Sequence, residues 1–578
     1  MRKRKLQKVV SLALSMILTF SLVGCGQTEQ AQEEGAETVG QETNQEVNGE
    51  ENGENDAAQS SVINDGWFPI VNDPITITVS GVNGGTPDWN ATDMVEWFES
   101  QMGIIMDCTQ FEADAWSTQF SLMLASDELP DLIINSANKI WEINQYASDG
   151  YFLPINEYLD YAPNLKAFLE EHPDYAAMCT APDGNIYGLV QYNDNKYARS
   201  QRVFIDRTWL ENVGMEYPET IEELYDVLKA FAEQDPNGNG TADEIPMSSQ
   251  AGGYDLFPAL MSAFGLYVSD AKYGLVQKDG VVQLAQATDE FREFLKFMNQ
   301  LCAEGLYDSA GLAQTQDELF SKVKEGRVGV FAAAAPYVAL GGDITADSGY
   351  YAFGGLTSEY SDQGAMPLSA GVTDGVKMAV SADTEYPEAI VRLIDYFYTP
   401  EGILMAAKGT EKNIRMEAVE FDPSFEVAVN IIPEGEEDNY ESPEMYRYQK
   451  AEINEGFNVV KSMVGTEYDF VNAATDELLN DDEVLNTYGW SILMERRMRE
   501  TSTVDVMPNL SYNEDEVDRV TTIKTDLGNY TGQAIAQFIS GEMDPETDWD
   551  SYINTLNQIG LEELLEIEQE AYNRAYSS

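Results

Sequence analysis

Between Asp73 and Asn135 the chain switches its hydrophobic period back and forth between two and 3.6, and this switching restricts the fold more than any other feature. "DPITITVSG" (Asp73 to Gly81) alternates apolar and polar residues as a half-buried strand does. A helix is expected around Asp93 to Gln101, a strand at "GIIMDCTQF", a helix at "DAWSTQFSLMLAS" and a buried strand at "LPDLIIN". Strands alternating with helices predict an α/β domain with a largely parallel sheet. "APDGNIYGLVQYNDN" (Ala181 to Asn195) is rich in turn residues, and the chain can leave the first domain there. A second α/β region opens at "RVFIDRTWLENVG". In "PETIEELYDVLKAF", Thr220 and Glu223 predict a capping box, and Ile221, Leu224, Tyr225, Leu228 and Phe231 mark one helical face. "TDEFREFLKFMNQLCAEGLYD" and "YPEAIVRLIDYFYTPEG" read as helices, "GRVGVFAAA" and "GVKMAVSA" as strands, and the C-terminus as a helical pair divided at Gly560. At 578 residues the chain needs more than one core.

The first 65 residues do not belong to those cores. Arg2, Lys3, Arg4, Lys5 and Lys8 precede the apolar run "VVSLALSMILTFSLVG", which is short for a membrane span. It ends in "LVGC" (Leu22 to Cys25), which resembles the lipobox of bacterial lipoproteins. That resemblance implies a signal peptide over residues 1–24, a lipidated Cys25 at the mature N-terminus, and anchoring at the outer face of the bacterial cytoplasmic membrane. Residues 25–65, dominated by Glu, Gln, Asn, Gly and Ala, are expected to form a disordered acidic tether. The formal charge of −68, from 101 acidic against 33 basic residues, repels phosphate backbones and excludes nucleic acid as a partner. Cys108, Cys179 and Cys302 show no close spacing and read as isolated buried thiols, although one disulfide stays open. The single histidine, His172, excludes His-clustered metal sites, and no GxSxG elbow accompanies it.

"DPNGNGTADEIP" (Asp235 to Pro246) begins as an EF-hand loop and then departs from it. Asp235, Asn237 and Asn239 fill positions 1, 3 and 5, and Gly240 fills position 6, but Pro246 stands where a bidentate Glu belongs. A decayed site, a plain Asn-Gly turn and a different calcium loop all fit the residues.

An ordered set of segments carries a resemblance over nearly the whole mature chain. "LASDELPDLI", "DGNIYGL", "DRTWLENVG", "YPETIEELYDVLKAF", "DPNGNGTADEIP", "EGRVGVF", "YTPEG" and "DWDSYINTLNQIGLEELLEIEQEAY" together resemble the family 1 extracellular solute-binding proteins that serve ABC sugar importers. Within that family they look most like the large lipoproteins similar to LplA and the alginate-binding proteins. The resemblance implies a periplasmic-binding-protein-like α/β fold of two lobes, a hinge and an interlobe ligand cleft. It places lobe 1 at residues 66–192 plus 366–410 and lobe 2 at 193–365 plus 411–578. It also implies a structural Ca²⁺ held by Asp235, Asn237, Asn239, the Thr241 carbonyl, Asp243 and Glu244. Six groups with one bidentate carboxylate supply seven oxygens, within the ~6–8 that Ca²⁺ takes.

A sugar presents apolar C–H faces and many hydroxyls, so its site needs aromatic platforms and polar hydrogen-bonding groups. Strand ends and hinge loops offer Trp89, Trp116, Asn135, Ser136, Trp141, Tyr187, Tyr192 and Trp490 as candidates. Tyr254 and Tyr337 resemble sugar-stacking positions of related maltose binders. Trp209 and Trp549 sit on amphipathic helices and read as core. The function implied is a monomeric, non-enzymatic binding protein that captures an oligosaccharide or glycoside and hands it to ABC permeases. A surface glycoside hydrolase, needing two carboxylates about 5–10 Å apart, and a peptide-binding or sensor protein are the alternatives. Lys196, Arg199 and Arg202 are the cations that could favour an anionic ligand despite the acidic field.

Overall fold

The computed structural model describes residues 62, 68–340 and 349–576; the expected signal peptide, Cys25 and the tether apart from Val62 lie outside them, and Val62, expected to be disordered, bridges to Val71 and packs against the first lobe's core. Two lobes form, each around its own sheet. The first sheet has six strands in the order Val460–Lys461, Gly188–Asn193, Val372–Val380, Leu132–Ile134, Ile75–Val82, Ile104–Phe111. Ile75–Val82 pairs in parallel with both Ile104–Phe111 and Leu132–Ile134, as the alternating pattern requires. Val372–Val380 enters between Leu132–Ile134 and Gly188–Asn193 and runs antiparallel to both. Ile77, Val79, Ile104, Ile133 and Val380 are among the residues that fill this lobe's core.

The second sheet has four strands in the order Tyr350–Phe353, Val203–Asp206, Val328–Ala332, Ile245–Met247. Its period of two separates two cores. Val203 and Ile205 face one with Val330 and Phe353, while Phe204 between them faces the other with Phe331 and Tyr350. The first of these cores is closed by the helices Ile221–Glu233, Asp289–Ala303, Glu514–Ser540, Trp549–Ile559 and Leu561–Tyr576. The other is closed by Gln316–Lys324, Trp490–Glu500 and an Ile414–Val419/Asp422–Asn430 hairpin. Trp209 and Trp549 are buried in the first core, as their helical faces suggest.

Several local expectations need correction. Thr220 caps its helix through the Glu223 N–H at 3.1 Å, but the Glu223 carboxylate reaches the N–H of Glu219 (2.8 Å), one residue before the cap. "YPEAIVRLIDYFYTPEG" forms two helices, Pro387–Tyr396 and Pro400–Lys408, because Pro400 lacks the N–H that a continuous helix needs. Cys108, Cys179 and Cys302 are free thiols; Cys108 and Cys179 are buried, but Cys302 is only partly so. Burial pushes the Cys108 and Cys179 thiols up to about 12.

The chain also crosses between lobes differently from the expected division. Met366–Leu368, placed with lobe 1, pairs with Thr503–Asp505 and packs in the second lobe, so the return to the first sheet starts at Val372. Within 411–578, placed with lobe 2, Ile453, Phe457 and Val459 fill the first lobe's core, and Val460–Lys461 pairs in parallel with Tyr192–Asn193. The added strand covers the open edge of Gly188–Asn193, where unpaired backbone groups would otherwise face outward.

Candidate functional site

In the first sheet every strand except Val372–Val380 points the same way, so five carboxyl ends share one edge. Ligands of open α/β sheets bind outside such an edge. Asn135, immediately after Leu132–Ile134, is its centre. It holds a φ of +45°, a region that asparagine tolerates better than most residues. Its amide donates to the Val82 carbonyl (2.9 Å), its N–H donates to the Lys377 carbonyl (2.8 Å), and its Oδ1 accepts from Lys377 Nζ (2.8 Å). Lys377 Nζ also lies 3.3 Å from Glu455 Oε2, and Lys461 Nζ lies 3.2 Å from Glu455 Oε1. Glu455 itself is left-handed, at φ +62°. The two ammonium groups overcome its burial and hold its carboxyl down at about 2. Burial pushes the Lys377 ammonium below its ordinary range, and Glu455 opposes that shift. Asn454, the residue before, donates to the Gly84 carbonyl at 2.6 Å and so ties this segment to the end of Ile75–Val82.

The second lobe contributes a tyrosine wall organised by Arg202. Arg202 stands just before the Val203–Asp206 strand, where the chain has crossed from the first sheet. Its N–H donates to Asp255 Oδ2 (2.9 Å), and its Nη2 donates to the Tyr254 hydroxyl (3.0 Å). Its Nε lies 3.7 Å from Asp255 Oδ2 and has no hydrogen-bond acceptor among the described residues. Gly252, Gly253 and Tyr254 run consecutively at positive φ, which Tyr254 adopts at +38°. A β-carbon on Gly253 would lie 2.1 Å from the Phe257 ring, so glycine is required there. A non-glycine residue held in that region stores of order 1–3 kcal/mol and points to a functional position. Tyr337, half-buried after Val328–Ala332, has its hydroxyl pushed up by burial and then by Tyr448, Glu444 and Glu467, while Arg202 opposes the shift.

The other candidates fall into separate groups. Trp490 stands edge-on to Tyr197 and Tyr468, with centroids 6.2 and 6.0 Å away. Trp141 and Tyr187 line a cavity of about 450 Å³ with Asn144, Tyr512 and Asp518. Tyr192 packs 4.5 Å from the His172 ring and 5.2 Å from Phe168, inside the first lobe. Ser136 is buried and donates to Asn138 Oδ1, which also accepts from Trp116 Nε1, both at 2.7 Å. Trp89 and Trp116 are 0% and 1% exposed; they are core residues beneath the strand ends and present no face to a ligand. Lys377, Glu455 and Tyr448 were not among the expected ligand residues, whereas Arg202 was expected as one of three cations that could favour an anionic ligand. A lysine in the otherwise apolar "GVKMAVSA" and a Glu-Gly turn in "NEGF" are the signals that mark the first two.

The Asp235–Glu244 loop joins the helix Ile221–Glu233 to the strand Ile245–Met247. Asp235 carboxylate oxygens accept from the Asn239 and Gly240 N–H groups at 3.0 and 2.9 Å, and Asn237 Oδ1 accepts from Asn239 N–H at 3.0 Å. Asn239 Oδ1 accepts from Thr241 N–H (2.6 Å), and its amide donates to Asp243 Oδ1 (3.0 Å). Glu244 Oε1 is buried with no hydrogen-bond donor among the described residues. Among the described residues no three His, Cys, Asp or Glu groups converge closely enough to hold a metal by themselves. The loop would need its asparagine and backbone oxygens as well. The orphaned Glu244 oxygen and the oxygen-rich donor set fit a hard cation.

Two sheets joined by several crossings, with polar strand ends on one lobe and a strained tyrosine on the other, define a two-lobed solute-binding fold. The chain belongs to the bacterial extracellular solute-binding protein family, whose pattern matches residues 109–403, just over half of its length. The fructooligosaccharide ABC transporter substrate-binding protein FusA of Streptococcus pneumoniae is 27% identical over 510 residues, covering 84% of this chain and 88% of that protein. A structure of FusA in complex with kestose superposes with a TM-score of 0.65 at 25% identity, over 87% of this chain and all of that one. An EF-hand mutant of FusA, in complex with fructo-nystose, has also been solved and superposes with a TM-score of 0.65 at 24% identity, over 87% of this chain and 100% of that one. The polygalacturonan/rhamnogalacturonan-binding protein YtcQ of Bacillus subtilis is 28% identical over 209 residues, 35% of this chain and 39% of that protein.

Glu455 gives this site a pH signature. Its carboxyl is held below the ordinary value of 4.5, so its contribution is complete above that pH and disappears as pH falls towards 2. About a third of its side chain is exposed (34%), so solvent screening limits the effect to about 1–2 kcal/mol. In urea unfolding, Glu455→Gln should be less stable than the wild type by that amount at pH 6, by about half of it at pH 3 and by almost nothing at pH 2. A gap of undiminished size at pH 2 would show that the ion pairs are not its source.

Proposed function

We propose that this chain captures an oligosaccharide between its lobes and delivers it to the permease subunits of an ABC importer. The observations that support this reading are the polar strand-end edge at Asn135 on the first lobe and, on the second, Tyr254 and Tyr337, both in the field of Arg202. Amide and charged donors serve sugar hydroxyls, and tyrosine faces serve the C–H surfaces. Similarity to FusA along most of both chains supports it. Trp490 and the Trp141–Tyr187 cavity are outer candidates for a longer ligand. The relatives bind solutes, which favours a binding role over the hydrolase alternative. Membrane attachment through a lipidated Cys25 fits the "LVGC" motif and keeps the protein beside its importer as a monomer.

Calcium belongs to the same proposal. Asp235, Asn237, Asn239, the Thr241 carbonyl, Asp243 and Glu244 would hold it, and FusA has an EF-hand of its own. When bound, the ion neutralises carboxylates that otherwise repel each other in an already anionic protein and ties the helix end to the following strand.

Two outcomes follow. In a calorimetric screen of neutral and acidic oligosaccharides, at least one glycan should bind, and Tyr337→Ala should weaken it roughly tenfold through the loss of about 1–2 kcal/mol of stacking and burial. No binder at millimolar concentration, or a binder indifferent to Tyr254 and Tyr337, would refute the reading. For the loop, EDTA should lower the melting temperature and excess calcium restore it, with Asp235→Ala abolishing the difference. Identical melting curves with chelator and with calcium would exclude a stabilising ion.

A further inference from the structure

We propose that Glu455 sets the charge class of the ligand: by holding both Lys377 and Lys461 it engages the two cations of the first-lobe wall and halves their net charge, and the site takes neutral oligosaccharides in preference to uronates. The inference deepens the oligosaccharide reading above and rests on it. Lys377 is the cation nearest the ligand edge, 2.8 Å from Asn135 Oδ1 and only 14% exposed at its side chain. A uronate carboxylate arriving there meets Glu455 on the same ammonium group, 3.3 Å away. It would have to displace Glu455 from Lys377 and leave a partly buried carboxylate with Lys461 as its one remaining ion-pair partner among the described residues, which is a costly way to break such a cluster.

The same saturation runs along the hinge and onto the other lobe. Lys139 Nζ is 2.6 Å from Asp374, Lys196 Nζ is 2.5 Å from Glu495, and Arg199 is paired with Asp505. Arg202 pairs with Asp255 at 3.7 Å. The three cations that the sequence offered to an anionic ligand are thus all engaged. Among the described residues, the cations without an ion pair within 4 Å are Lys166, Lys272, Lys324 and Arg496. Three of these lie in the helices Pro163–Glu171, Gln316–Lys324 and Trp490–Glu500, and Lys272 lies in a loop beside Gly252. None stands at a strand end of the first sheet. Tight carboxylate recognition needs charge-assisted donors, and on the first-lobe wall those donors are already engaged by protein carboxylates. A neutral sugar asks only for amide, hydroxyl and ring contacts.

The test is titration calorimetry of the calcium-loaded chain against length-matched sets. Inulin-type, xylan-type and malto-type tri- and tetrasaccharides form one set, and oligogalacturonates and oligomannuronates the other. The best neutral ligand should bind at least about 100-fold more tightly than any uronate, and Glu455→Gln should narrow that ratio at least tenfold by strengthening the uronates. The gain should fade as salt is raised, because the freed ammonium groups act electrostatically. If Glu455→Gln does not fold with Lys377 unpaired, Glu455→Gln combined with Lys377→Met leaves Lys461 free, and the same narrowing is expected. A wild-type chain that binds an oligouronate as tightly as its best neutral sugar overturns this proposal alone, as does a ratio unmoved by the variants. Silence from both sets overturns the oligosaccharide reading, and this inference with it.

Discussion

The strand Val372–Val380 is the constraint on which the rest of the molecule depends. It leaves the second lobe after Met366–Leu368, enters the middle of the first sheet and pairs antiparallel on both sides. A parallel α/β unit built from residues 75–193 alone would leave Leu132–Ile134 and Gly188–Asn193 without a common partner. The inserted strand closes that gap with buried Val376, Met378 and Val380 and makes the two lobes interdependent. It also carries Lys377 to the level of Asn135, so the topology that completes the core builds the polar edge as well. A register shift of one residue would turn Lys377 into the core and Met378 towards the ligand edge.

Helix tips stabilise the same lobe. Asp395 is wholly buried, yet its carboxylate accepts from the N–H groups of Asn164 and Leu165 at 2.7 and 2.8 Å and from the Asn164 amide at 2.8 Å. Burial pushes its carboxyl up, and those donors oppose the shift. A residue of one helix thereby caps another 230 positions away. The acidic surplus of the chain is not spread evenly over its surface chemistry. At the strand-end edge Lys377 and Lys461 share the single carboxylate of Glu455, so this cluster keeps one net positive charge although the whole chain carries −68.

Local periodicity made the elements legible. The strands Ile75–Val82, Ile104–Phe111, Val328–Ala332 and Val372–Val380 and the C-terminal pair broken at Gly560 all lie where apolar spacing places them. Long-range choices were not legible. Nothing in "FNVVKS" says that Val460–Lys461 will pair with Tyr192–Asn193, because a two-residue edge strand has no period to detect. The Ile414–Asn430 hairpin lacks a two-residue Asn-Gly or Asp-Gly turn, and its strands are amphipathic enough to pass for loops. At the site, Asn135 was visible as a polar residue ending an apolar strand. Trp89 and Trp116 look identical to stacking residues in sequence, and only burial reveals that they support the strand ends from below. For Glu455 the sequence offered no more than the Glu-Gly turn, because its role depends on Lys377, 78 residues away, joining Lys461 at the same carboxylate.

The central claim is that a ligand touches both lobes at once and therefore favours the closed arrangement, since it shifts an equilibrium only by its differential affinity for the two states. Small-angle scattering of the mature chain, with and without a saturating oligosaccharide, tests this most directly. The account predicts a smaller radius of gyration with the sugar bound. A sugar that binds by calorimetry and leaves the scattering curve unchanged would contradict it.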